Sequence, residues 1–256
     1  MRKLVYQSGA LCILIALSAC GGSKVLKEPA PFVATQPLAA ASDQTLSVTL
    51  DWVIVRDGPG TWARKADWDE YLLRVRNESD HPVRVSRLIV IDSLGVPIES
   101  QSGRKQLVKS SKKTARRYKE SGTKVEAGSG RGTLGVAAAT AGGAAIGAAT
   151  ATGGILGGAG FGAAAGATLV LAPVLAVGGV VRGVNQSKVN NQIELRQTAI
   201  PHDLAAHEEL TLDIFFPIAP SPTTVELTYS DSSGEHHLVI DTRMALDGLH
   251  IRTDVE

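Results

Sequence analysis

The stretch TLSVTLDWVIVRDGPG, residues 45–60, sets Leu46, Val48, Leu50 and Trp52 at every second position and separates them by Ser, Thr and Asp. That period of two belongs to a strand with one buried face, and Asp57 to Gly60 supply the turn that ends it. Working outward, EYLLRVRNESDHPVRV places Tyr71, Leu73 and Val75 on one face, turns at Asn77 to Pro82 and continues into RLIVIDSLGVPI. The same style returns more than a hundred residues later. ELTLDIFFPI aligns Leu210, Leu212, Ile214 and Phe216, and TTVELTYSDSSGEHHLVIDT reads as two strands joined across Asp231 to Gly234. Neither run of strands can cover its own apolar face, so each is expected to complete the other. The expected fold is therefore α+β: a β-sandwich built from two sequence-distant halves, 46–100 and 205–253.

Two unlike pieces separate the halves. Within 104–127, GRKQLVKSSKKTARRYKE carries Arg104, Lys105, Lys109, Lys112, Lys113, Arg116, Arg117 and Lys119 before its first acid, Glu120. This basic segment is expected to contact anionic lipid headgroups, where each cation near the surface contributes about 1 kcal/mol. The second piece, 130–184, contains an unbroken run from Gly132 to Val181 with no ionisable side chain. As one helix, that run would measure about 75 Å, against a hydrocarbon core of about 30 Å. Two helices, near 133–151 and 155–181, joined at Thr152 to Gly154, are the natural reading. Residues four apart share a helix face, so Gly143 and Gly147 lie on one small-residue stripe and Gly154, Gly158, Gly162 and Gly166 on another. In water each such glycine costs a helix up to about 1 kcal/mol relative to Ala, a cost offset by close helix packing or a surrounding bilayer. A connector, 185–204, leads back to the second half.

The N-terminus carries an address. MRK is followed by the apolar LVYQSGALCILIAL and by LSAC, Leu17 to Cys20, which places a signal peptide over 1–19. LSAC resembles the lipobox of bacterial lipoproteins, and the resemblance implies that Cys20 becomes the acylated first residue of the mature chain. Three acyl chains there would hold the protein on a membrane. Residues 20–45 then read as a lipidated tether. With Cys12 removed, Cys20 is the single cysteine of the mature chain, so no intrachain disulfide is expected. In such lipoproteins an Asp after the Cys favours inner-membrane retention. Gly21 here implies the outer membrane, with the protein facing the periplasm.

The stretch 128–184 resembles the glycine-zipper domain of two-helix envelope lipoproteins. It departs from the small members of that family in standing between two β-rich halves. YLLRVRNESDHPVRVSRLIVIDSLGVPI and HEELTLDIFFPIAPSPTTVELTYSDSSG resemble immunoglobulin-like accessory domains of bacterial envelope proteins, which implies a binding or structural module. The implied partners are membrane lipid, through acylated Cys20 and the hairpin, further copies of the chain, and an envelope protein.

Several chemistries find no support. A net charge of +1 gives no global field for nucleic acid. GRGTLG, Gly130 to Gly135, fits G-x-G-x-x-G but lacks a preceding apolar strand and a following acid at the dinucleotide-binding distance. His202, His207, His236 and His237 do not have the spacing of a zinc helix. No metal, cofactor or catalytic group is expected. The function expected is therefore structural or interactive, at the outer membrane. The alternative is a membrane-active protein whose hairpins oligomerise into a pore or act as an effector.

Overall fold

A computed structural model describes residues 26–29, 36–130 and 186–252. Its elements in chain order are β1 (Ala39–Ser42), β2 (Leu46–Ile54), β3 (Trp68–Asn77), β4 (Val83–Ile91), β5 (Pro97–Glu99), α1 (Arg104–Glu120), α2 (Gln186–Arg196), β6 (His202–Leu204), β7 (Glu209–Pro217), β8 (Thr224–Asp231) and β9 (Gly234–Asp241). The strands form two antiparallel sheets, β1-β2-β3-β7 and β5-β4-β8-β9, with β6 also on β4. Each sheet joins the two halves of the sequence. β3 pairs with β7 from Trp68↔Pro217 to Arg76↔Glu209, and β4 pairs with β8 from Arg84↔Ser230 to Ile91↔Thr224.

One apolar core lies between the sheets. Leu46, Val48, Leu50, Tyr71, Leu73, Leu212, Ile214 and Phe216 come to it from the first sheet, and Val85, Leu88, Val90, Val225, Leu227 and Ile240 from the second. The Tyr71 and Phe216 rings meet edge-on at 5.0 Å, an arrangement that aromatic quadrupoles favour. Across the layers the Tyr229 hydroxyl donates to Asp43 Oδ2 at 2.8 Å, tying β8 to the β1–β2 turn. Asn77 is fully buried and closes the β3–β4 turn: its Nδ2 donates to the carbonyls of His81 and Ala205, and its Oδ1 accepts from the Ser79 amide.

The alternation in β2 breaks where the sequence suggests that it continues. A register shift between Leu50 and Trp52 against β3 marks a bulge. The extra residue, Asp51, turns the strand's phase over. Val53 and Val55 therefore enter the core that Leu46, Val48 and Leu50 already line, and Trp52 does not. Asp51 reaches the outer face, where its Oδ1 accepts from Arg74 Nη2 at 2.9 Å. A second shift, between Val85 and Arg87, does the same for β4 and brings Leu88 and Val90 inward.

The stretches expected as tether, basic segment and connector are partly built into this body. Leu26 bridges Ala63, and β1, inside the expected tether, pairs with β2. The basic segment contains α1 and the connector contains α2. The two helices pack on the outer face of the first sheet and enclose a second apolar cluster of Trp62, Ala63, Ala66, Trp68, Leu107, Val189, Ile193 and Phe215. Residues 104–120 are rich in Lys, Arg and other good helix formers, and Leu107, Ser111, Thr114 and Tyr118 fall on one buried face. Gly122, with φ +83°, supplies the left-handed residue that follows the helix end.

Candidate functional site

α1 has two faces of opposite character, and the chain fixes which is which. On the buried side, Ser111 Oγ lies within hydrogen-bond distance of the carbonyls of Leu107 and Asp67, to which it donates its one proton, and accepts from the Ile218 amide at 3.0 Å. The Tyr118 hydroxyl lies 2.8 Å from Ser93 Oγ and 3.3 Å from the Pro220 carbonyl. These contacts carry the helix from the first sheet to the β4–β5 turn of the second.

The eight cations of the basic segment divide between the two faces. Two are drawn into the body. The Arg104 guanidinium lies 6.0 Å from the Trp68 ring centroid, and Arg117 Nη2 donates to Asp92 Oδ2 at 3.2 Å, with the Asp92 side chain fully buried. Lys105, Lys109, Lys112, Lys113, Arg116 and Lys119 are exposed. None of these six forms an ion pair among the described residues. At about 100° per residue they fall within an arc of roughly 120°, and the one other residue in that arc is Glu120, so every side chain on it is charged.

Behind the helices the first sheet holds a buried ionic cluster. Glu70 on β3 and Asp213 on β7 sit diagonally on the outer face, because Glu70 is opposite Phe215 and Leu72 opposite Asp213. Glu70 Oε1 accepts from Arg196 Nη1 at 3.0 Å, and its Oε2 accepts from Trp62 Nε1 at 2.6 Å. The Arg196 guanidinium also stands 5.0 Å from the Trp62 ring centroid, within the range of a cation–π contact. Burial pushes the Asp213 carboxyl well above the ordinary carboxylate range. The negative charge of Glu70 and a hydrogen bond with it push the same way, and Arg196 opposes them. Asp213 therefore keeps its proton at neutral pH.

The cavity beside Glu70, lined by Ile54, Val55, Trp62, Ala66 and Trp68 among others, measures about 10 Å3. That is room for about one water beside Glu70. The cluster's evident work is to hold the last turn of α2 against the sheet.

A second buried tie fixes the chain that leaves α1. His250 is fully buried, with Nε2 2.7 Å from Asp69 Oδ2, and its Nδ1 accepts from the Gly128 amide at 3.0 Å. Of the histidines singled out in the sequence, His207 meets Asp80 at 2.9 Å, and His236 lies near Asp231 and Ser233 and stacks on Tyr229. His237 meets Thr228 at 3.1 Å. No group of three or more His, Cys, Asp or Glu with metal-binding geometry occurs among the described residues. Likewise, no helix among them is long and apolar enough to cross a membrane.

Cys20 and the stripe glycines Gly143, Gly147, Gly154, Gly158, Gly162 and Gly166 lie outside the described residues. Sequence reasoning missed Glu70, Arg196, Asp213, Asp69 and His250. A usable signal was present in Trp68, Leu72 and Phe215, which share the strand faces of Glu70 and Asp213. Apolar residues on both faces of a strand imply that both are covered. Comparison with known proteins returns no matching family model, no matching curated protein and no matching solved structure.

Proposed function

We propose that the chain is a bacterial envelope lipoprotein, anchored in the outer membrane through Cys20 and facing the periplasm. In this reading the two sheets are an immunoglobulin-like module with a structural or interaction role, and 130–184 is a glycine-zipper hairpin. The observation that carries the proposal is the way the uncharged run is held. Residues before it, at Glu126 and Ser129, hydrogen-bond with His250, and residues after it form α2 on the same body. A run held at both ends by one body must return if it enters a bilayer, which requires an even number of crossings. A two-helix hairpin meets that requirement, and the GxxxG spacing suits its packing, against its own second helix or against further copies. LSAC upstream supplies the anchor.

Replacing Cys20 by Ala tests the reading. An unprocessed precursor lacking acyl chains is the expected result. Normal maturation and membrane retention of C20A would overturn it. The rival reading, a membrane-active protein, rests on the same glycine stripes, and release of dye from liposomes by the full mature chain would favour it.

A further inference from the structure

The charged face of α1 has a shape as well as a sign. From Lys105 to Lys119 it runs for about 21 Å at 1.5 Å per residue. It is presented by a helix whose opposite face is pinned by Leu107, Ser111 and Tyr118. A straight, rigid row of cations matches a flat surface of distributed negative charge. We infer that Lys105, Lys109, Lys112, Lys113, Arg116 and Lys119 seat on the anionic phospholipid headgroups of the bilayer that carries the anchor, and that Arg104 and Arg117 take no part. The inference rests on the envelope-lipoprotein reading for which bilayer this is.

Two observations favour lipid over an acidic protein. The arc holds no aromatic side chain and, with Arg116, one arginine among five lysines, whereas protein interfaces draw most of their affinity from a few buried Trp, Tyr and Arg anchors. The helix is also connected to both ends of the uncharged run. Its C-terminal end continues through 121–130, which is tied to His250, and its N-terminal end meets α2, where the Arg104 amide donates to Asn190 Oδ1 at 3.3 Å. If the uncharged run occupies the bilayer, it draws the body that carries the row onto the membrane surface.

The test uses the full mature chain on vesicles of phosphatidylcholine alone or mixed with phosphatidylglycerol. A fluorophore at Gln106→Cys, beside the row, or at Val239→Cys, on the outer face of the second sheet, reports proximity to a nitroxide-bearing headgroup. Quenching at 106 should be strong with phosphatidylglycerol, weak without it and reduced by salt, and the 239 probe should stay unquenched. K109Q/K112Q/R116Q should lower the docking constant about fivefold per cation removed. A charge-matched triple at exposed arginines elsewhere, R84Q/R87Q/R243Q, should leave it unchanged. Equal quenching on the two vesicle types, equal loss in the two triples, or quenching at 239 in place of 106 would overturn the inference. So would cross-linking of Lys109 and Lys112 to an acidic envelope protein without any dependence on phosphatidylglycerol. Failure of the lipoprotein reading is distinguishable: a chain without acyl groups would stay off neutral vesicles, while its sedimentation with phosphatidylglycerol vesicles would still decide the docking.

Discussion

On the outer face of the second sheet, Arg84 pairs with Asp203 with side chains 53% and 69% exposed. On the outer face of the first, Glu70 and Arg196 form the same kind of pair at 2% and 10% exposure. The chemistry is alike and the surroundings are not. In water each partner has solvent as an alternative, and such a pair contributes at most about 1 kcal/mol. Under α1 and α2 the alternative is gone, so loss of one partner strands a charge in an apolar layer. Two sheets that share one core thus carry ion pairs of very different consequence, and the helices make the difference. They also let Asp213 remain a neutral acid where an uncovered strand would leave it ionised.

The largest loss on the covered face is expected at Phe215. It is fully buried on the helix-covered face, with its ring 6.4 Å from that of Trp62. F215A should cost about 3–5 kcal/mol in urea or thermal unfolding. A surface-like loss below about 1 kcal/mol would mean that the helices do not cover this face.

Next in size is Arg196. R196M removes the cation and leaves Glu70 buried without it, an expected loss of about 3–5 kcal/mol. The double variant E70Q/R196M should recover a large part of that loss. Additive losses in the double-mutant cycle would contradict the coupling.

The Asp213 carboxyl makes the stability of the covered face depend on pH. Its folded pKa is raised above the unfolded value of about 4. Between those values the folded state holds a proton that the unfolded state has released. The group's stabilising contribution is therefore complete below about pH 4 and is lost as pH rises toward the folded pKa. D213N keeps a neutral side chain, so its stability should match the parent near pH 4 and exceed it increasingly as the pH rises toward neutral and alkaline values. The same pH dependence for the two proteins above pH 4 would show that Asp213 is ionised in the folded protein.

Smallest is the effect on the open face. R87A breaks the exposed pair with Glu99, and a change within about 1 kcal/mol is expected. Neutralising Lys109 or Lys112 on the exposed face of α1 should shift stability by no more than about 0.5 kcal/mol. A loss comparable to that of R196M at any of these positions would erase the distinction between the two environments.

Much of the β body was legible because alternation is a local signal. Tyr71, Leu73 and Val75 on β3 and Leu212, Ile214 and Phe216 on the neighbouring β7 line the core that their spacing implies. The bulge at Asp51 was not legible. A single extra residue leaves the composition of a strand unchanged while reversing its faces, so Trp52 read as continuous with Leu50. The helix layer was concealed for a different reason. Eight cations in 104–119 read as a segment seated on lipid headgroups, and Leu107 and Tyr118 were too few to announce a buried face without the Trp62, Trp68 and Phe215 surface that receives them. Glu70 and Asp213 alternate with core residues, the positions that face solvent on a half-buried strand, so nothing singled them out. Their partner Arg196 is separated from Glu70 by 126 positions, and nothing local connects them.

The helix layer also changes where the chain can be cut. Removing 102–198 would take away both helices and expose Trp62, Trp68 and Phe215. The central claim, that both halves and both helices form one body from which the uncharged run leaves and to which it returns, is tested most directly by deleting 131–185 and joining Gly130 to Gln186 by a long flexible linker. In a W52F background, unfolding would be followed by tryptophan fluorescence, which then reports Trp62 and Trp68 under the helices, and by far-ultraviolet circular dichroism, which reports the backbone as a whole. One cooperative transition, with coincident midpoints by the two probes, is the predicted result. Separate midpoints, or a chain that does not fold, would contradict the claim.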